Sequence, residues 1–458
     1  MIYRLVPLLV FFIFFDLEAN VWTLASGFGE RITLATTGGI GEYNVLKIEI
    51  KMSDLCFLFL WILFFGNLMY GRFSFKDLKL SKYGFLLLFV TIGLFSLWEN
   101  SNNYTEYQIT VAFLYTARLL EVSLIFAIAI GYLKLGYDLS RLAWAIVFGV
   151  LVAGLIGTLE FVEPAFGKMF VPDRVTFYGP ILLGSFFLVY LLSSPDLTER
   201  IGISRKLIFL ALTFSLVGVA FSGKRVVVFG FLGGIIWMIR PIVRGKQLFL
   251  GLLLLVAISG GIFVFYQKTF FASSGAEVGG YVGEVWSGID ENFSEAILSR
   301  QQGSSSFILD NVKNIDTSIR SRIGRVYRVL DILEGRMMTG VGLMAAPFVH
   351  ISPDNFFSHV MLESGLLGLL VIIIYFVILW HWCISNVAHK EADLINGLFT
   401  AFMFMGVGAN VIYTSPLFAT FLLLCVIAVY LREGEEGLEF TPDLEVQGSR
   451  GIGVWAPE

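Results

Sequence analysis

The sequence predicts an all-α integral membrane protein of about twelve transmembrane helices, and three observations predict it. The 458 residues are 57% hydrophobic and 15% charged, against roughly 45–50% apolar and about 25% charged in soluble domains; mean hydropathy is +0.79. Apolar runs recur along the whole chain at lengths near the ~20 helical residues that cross a ~30 Å hydrocarbon core. Lys and Arg concentrate in alternate connecting segments, the pattern that orients membrane helices.

The predicted spans are 5–15 (extended by a few residues), 55–70, 83–98, 109–133, 142–159, 175–192, 207–221, 226–239, 248–265, 356–380, 394–412 and 417–431. Backbone groups facing lipid find partners only within the chain, so these runs are expected to be helices. With the N-terminus inside, the inner segments hold roughly twice as many Lys and Arg as the short outer loops, which predicts both termini inside. The first run is read as an uncleaved helix, because no clear small-x-small site follows it. Residues 1–267 thus carry helices one to nine, with a small outer hairpin near 17–54, where VLKIEIKM alternates like a strand. Residues 268–353 form a large outer loop, 354–431 carry helices ten to twelve, and 432–458 are an acidic inner tail. The net charge of −4 is too small to imply a nucleic-acid partner. The cysteines (Cys56, Cys383 and Cys425) lie in apolar runs and suggest neither disulfide nor metal framework.

The outer loop opens with Gly/Ser-rich sequence and closes on SIRSRIGRVYRVLDILEG, residues 318–335. Ile319, Ile323, Val326, Leu330 and Leu333 fall on one helical stripe. Asp316 or Thr317 can cap this helix and Gly335 can end it; Arg325 and Arg328 are expected to point away from the stripe, with Arg322 at its border.

Four constellations carry candidate chemistry. In SPDNFFSHVMLESG, Ser352 and Pro353 suit a helix start and Asp354 suits its dipole. Asn355, His359 and Glu363 then share one face, running about two turns into the membrane. Ionisable groups at that depth line a cavity or meet a partner; the competing reading is an inert polar seam. In FSGKRVVVFGFLGG, two crossings between Arg205 and Arg240 leave each helix about 24 Å long at 1.5 Å per residue. The turn at 222–225 is therefore expected below the outer surface, with Lys224 and Arg225 either in a polar cavity or snorkelling outward. Arg174, before a helix, is by itself an interfacial anchor. Arg118 and Glu121, three apart within a span, can pair. Arginine forks suit phosphate and diphosphate oxygens, and no Asp-x-Asp or His-x-His pattern suggests a metal.

The order of these features resembles the O-antigen polymerase and O-antigen ligase superfamily. The resemblance runs from Arg174 with Gly179 and Pro180, through Ser222 and Arg225, Ser321 and Arg322, and Gly340-Val341-Gly342, to Asn355, Glu363 and Gly365. It implies a GT-C-like bundle in a bacterial inner membrane, with the long loop between helices nine and ten in the periplasm. It also implies a cofactor-free, metal-independent, inverting glycosyl transfer from an undecaprenyl-diphosphate-linked glycan donor to an acceptor, with a chain-length regulator as a further expected partner. On that pattern Arg225 and Arg322 hold the diphosphate, Arg174 or Arg325 assists, and Asn355 and Glu363 help bind substrate. The family's His-Asn pair reads Asp354-Asn355 here. The base is then Asp354 or His359, with His350 less well placed. The departure favours the polymerase over the ligase; a polytopic transporter or flippase is the non-enzymatic alternative.

Overall fold

In a computed structural model, residues 6–14, 52–71, 84–134, 138–162, 174–222, 225–242, 317–343, 355–412 and 415–436 are described, and every regular element among them is helical. In chain order these are α1 (Val6–Phe14), α2 (Met52–Met69), α3 (Gly84–Glu99), α4 (Glu106–Ser123), α5 (Ile125–Lys134), α6 (Leu139–Val162) and α7 (Arg174–Ser193). They continue with α8 (Pro195–Ile201), α9 (Arg205–Phe221), α10 (Arg225–Ile242), α11 (Thr317–Ile332), α12 (Phe356–Ser385), α13 (His389–Gly406) and α14 (Ser415–Glu436). The strand expected within 45–52, the span 248–265, the Gly/Ser-rich half of the long loop, His350, Ser352, Pro353 and Asp354 lie outside the described residues.

Among the described residues two helices are long and apolar enough to cross a membrane, Leu139–Leu159 and Phe356–Ser385, or three if the bent pair Phe177–Ser193 and Pro195–Ile201 counts as one. The stretches Gly84–Glu99, Leu119–Leu133, Val226–Ile235 and Pro416–Leu431 are apolar but shorter. A membrane location is compatible with these helices, while twelve crossings are more than the described residues carry. The outward face of α12 agrees with it: Leu366, Leu370, Ile373, Val377 and Trp380 form one exposed apolar stripe, which water would disfavour.

α7 and α14 form the centre. From Pro416 to Val429 every residue of α14 is buried, all round the helix, as befits a core helix rather than an amphipathic surface one. Phe402 and Phe421 stack with centroids 4.3 Å apart, and Phe376, Phe399 and Phe418 close around them. α9 and α10, consecutive in the chain, barely touch; α9 packs on α6 and α7, α10 on α13 and α7. Small residues let the α6–α9 pair approach: a Cβ at Gly154 would lie 2.7 Å from the Ser215 amide nitrogen.

The span expected at 109–133 is carried by α4 and α5, between which Leu124 keeps helical φ and ψ and bonds the Leu120 carbonyl at 3.2 Å. The loop after α7 contains α8, bent by 104° from α7 and started by Pro195. The Gly179-Pro180 pair does not start its helix but lies inside α7. Gly179 is needed there because a Cβ would sit 3.0 Å from Leu417 of α14. α14 runs on to Glu436, so the first residues of the acidic stretch 432–458 are helical.

At the end of α7, the Tyr190 hydroxyl donates to Glu391 Oε1 in the first turn of α13. Both residues are buried, and Oε2 has no hydrogen-bond partner among the described residues. Losing one donor to a buried carboxyl costs about 1–3 kcal/mol. Tyr190→Phe is therefore expected to lower the unfolding midpoint in detergent. Adding Glu391→Gln should recover part of the loss, and an unshifted midpoint in the single variant would show that this bond carries no stability.

Candidate functional site

One end of the bundle gathers the segments singled out in the sequence. A Cβ on Gly406, at the end of α13, would lie 3.5 Å from Phe356 at the start of α12. α10 runs antiparallel to α13, with Gly230 against Ala401 and Met405 and Gly234 against Gly397. Arg225, its first residue, is thereby level with the turn after α13. α7 and α14 begin side by side, Gly179 against Leu417, so Arg174 starts its helix at this same end. The backbones of Arg174, Arg225 and Arg322 are described, each on a helix; their side chains, like that of Arg118, lie outside the description. Glu121, the expected partner of Arg118, is half-buried, and its carbonyl accepts from Trp61 Nε1.

α12 starts at Phe356, and Asn355 is its cap: extended at φ −113°, ψ 148°, with Oδ1 accepting from the Ser358 amide at 2.7 Å. The N-cap of α12 is thus Asn355, where Ser352 was expected, and its carboxamide oxygen accepts one bond from the helix end. One turn on, His359 Nε2 lies 3.0 Å from Glu363 Oε1. Glu363 is wholly buried and the His359 side chain is 13% exposed. The expected shared face is therefore real for this pair. A carboxylate on one imidazole nitrogen orients the ring and holds its proton there, leaving the other nitrogen as acceptor.

Just below the pair, α12 is broken. Gly365 has φ 64° and ψ −167°, a backbone state reserved for glycine. The segment after α11, Met337–Leu343, is a strap laid into the break. Val341 and Gly342 amides donate to the Leu362 and Glu363 carbonyls at 2.8 and 2.9 Å; Leu366 and Leu367 amides donate to the Met337 and Met338 carbonyls at 2.9 and 3.3 Å. The strap needs its glycines. Gly340 and Gly342 have φ 79° and 121°, and Cβ atoms there would lie 2.6 Å from the Glu363 carbonyl and 2.7 Å from Leu97 Cα. The Gly340-Val341-Gly342 motif thus has a backbone reason.

The strap is clasped from the far side. Leu343 donates to the Gly93 carbonyl at 2.9 Å, Tyr104 Oη to the Val341 carbonyl at 2.9 Å, and Asn100 Nδ2 to the Gly340 carbonyl at 3.4 Å. Burial pushes the Tyr104 phenol above its usual 10.0; Arg336 pulls it down and Glu363 pushes it further up, so both charges lie near this hydroxyl. Tyr104, Asn100 and Arg336 were not singled out from sequence. The polar run SNNY between two apolar stretches was the available signal.

α11 packs on this assembly through Val329 and Leu333, both fully buried with Leu97, Ala112, Val341 and Leu362. Leu333 of the expected stripe is buried, Val329 off that stripe is buried beside it, and Val326 and Leu330 are only half-buried. Arg325, four residues before Val329, falls on the inward side and is half-buried, while Arg328 is exposed. The expectation that both point away holds for Arg328 only. The helix ends at Ile332, ahead of Gly335, which has φ 79° in the following turn. Among the described residues no group of His, Cys, Asp or Glu is arranged to hold a metal ion; Cys383 and Cys425 are free and buried.

No family model matches the sequence, and no curated protein matches it.

Proposed function

We propose that the chain is a multi-pass glycosyltransferase of the bacterial inner membrane, both termini cytoplasmic, that polymerises undecaprenyl-diphosphate-linked repeat units into O-antigen or a related surface polysaccharide on the periplasmic face. The observation that carries the reading is the His359–Glu363 pair in the first turns of an apolar helix, its carboxylate wholly buried and its backbone bonded to the strap that follows the arginine-bearing α11. A base oriented by a wholly buried carboxylate, with arginine-bearing helices beginning at the same end of the bundle, supports a metal-independent displacement. In that reaction a sugar hydroxyl of the incoming lipid-linked unit gives its proton to His359 or Asp354. Its oxygen attacks the anomeric carbon, the bond from that carbon to the phosphate oxygen breaks, and the lipid diphosphate leaves with the charge met by Arg225 and Arg322, assisted by Arg174 or Arg325. Glu363 serves here by orienting His359. The ligase, which would pass the glycan to lipid A-core, uses the same leaving group and differs in the acceptor.

A second reading, a transporter or flippase, is favoured by one observation: a helix broken at Gly365, a feature common at the binding sites of secondary transporters. Deleting the gene and resolving the cell's surface glycan on a gel separates the readings. A single repeat unit on the lipid anchor supports the polymerase. Bare anchor with long glycan left on the carrier supports the ligase. Loss of all outward-facing glycan supports the flippase, and an unchanged ladder overturns all three.

A further inference from the structure

The break in α12 and the strap that fills it share one set of hydrogen bonds. In a continuous helix the Leu366 amide would bond the Leu362 carbonyl and the Leu367 amide the Glu363 carbonyl. Those two bonds are the ones the strap intercepts: it takes both carbonyls with Val341 and Gly342 and supplies both amides with the carbonyls of Met337 and Met338. The four α12 groups of these two bonds are therefore matched by the strap, and would be matched by each other if Gly365 returned to helical φ. Gly365 is the residue of α12 that stands off the helical region, and glycine passes between the two signs of φ at little cost.

We propose that α12 is a two-state element: strap-bound and broken, as seen here, or strap-released and continuous. The side facing the strap is built for such exchange. Tyr104, Asn100 and the Gly93 carbonyl hold the strap by single hydrogen bonds, and the adjoining hydroxyls of Ser96 and Ser364 are fully buried with no hydrogen-bond partner among the described residues. Most intrahelical hydroxyls elsewhere, such as Thr91, Thr116, Ser123 and Ser185, turn back on the carbonyl four residues earlier. Ser96 and Ser364 do not, which leaves the seam beneath the strap short of bonds. Straightening re-aims the outer half-helix that carries His359 and Glu363 relative to α11. The switch stands apart from the chemistry proposed above and holds for an enzyme or a transporter.

Hydrogen exchange resolved to single amides, on the full chain in lipid nanodiscs, tests it. In the wild type the Val341 and Gly342 amides are expected to exchange about tenfold or more faster than those of Leu366 and Leu367, because release frees the first pair and re-pairs the second. Gly365→Ala brings a Cβ against the Met338 carbonyl and 2.5 Å from the Thr339 nitrogen. It should strip protection from Val341 and Gly342 and leave Leu366 and Leu367 protected. Gly342→Ala, which meets Leu97 and leaves α12 untouched, should give the same split. If both pairs lose protection together in either variant, or exchange at one rate in the wild type, the break is a fixed structure and the switch is wrong. Should a variant aggregate, the wild-type rates decide alone. Glycan assembly is not the readout, so this result stands whatever the gel shows.

Discussion

Glu363→Gln is expected to slow elongation of lipid-linked glycan by about 10²–10⁴-fold while the protein reaches wild-type levels in the membrane. The substitution keeps shape and volume in a wholly buried place and removes the charge. The carboxamide still reaches His359 Nε2 at 3.0 Å but can present a donor there, which lets the imidazole take the wrong tautomer. The base is then misaligned without a cavity being made. His359→Gln should cost a similar factor, and the double variant should be no worse than either, because two residues acting as a unit lose their effect together. Chain growth on membranes from the four strains, each normalised to protein level, measures it. Wild-type ladders from Glu363→Gln would remove the pair from the mechanism and leave Asp354 as the base. Arg322→Ala should abolish long-chain glycan outright, through the leaving group instead of the proton; full-length chains from it would count against the diphosphate clamp.

The parts of this molecule that were legible in the sequence are those fixed by local pattern. Apolar runs located ten of the described helices to within a few residues, and four-residue spacing placed His359 over Glu363. Tertiary contacts fixed the rest. Nothing in FSHVMLESGLLG announces that Gly365 leaves the helix, since a lone glycine in an apolar helix is usually tolerated; the cause is a strap arriving from 337–343. The face of α11 was misjudged in part, for a related reason. Of the expected stripe (Ile319, Ile323, Val326, Leu330 and Leu333), Leu333 is buried while Val326 and Leu330 are only half-buried, and the second anchor is Val329, because Leu97, Ala112 and Leu362 offer a surface there. The capping role of Asn355 was not read from the sequence because it depends on where the helix starts, and helix starts are read from sequence only to within a residue or two.

The largest expected loss of stability comes from Gly234→Leu. In lipid, helices do not associate by escaping water; they associate by close packing, and small residues set how near two backbones come. α10 and α13 meet through such residues. A Cβ at Gly234 would run into the Phe186 ring of α7 and sit 2.9 Å from the Gly397 carbonyl, while Gly397 in turn faces the Gly234 carbonyl at 3.4 Å. One of the obstructing atoms is backbone, so no rotamer change clears it, and Phe186 is itself packed among fully buried residues. Four added carbons must push α10 away from α13 and α7 together, at a cost at or beyond the upper end of the usual ~1–3 kcal/mol for overpacking. Gly230→Ala is the graded comparison: its nearest obstacle is Met405 Cγ at 2.6 Å, on a flexible side chain that can give way. Gly66→Ala is the control, with nothing within 4 Å of its Cβ. Thermal unfolding in detergent should rank Gly66→Ala near wild type, Gly230→Ala slightly lower, and Gly234→Leu far lower, with little monodisperse protein recovered. A Gly234→Leu protein as stable as Gly230→Ala would mean that α10 and α13 are not in backbone contact, and Arg225 would then lose its fixed level beside the start of α12.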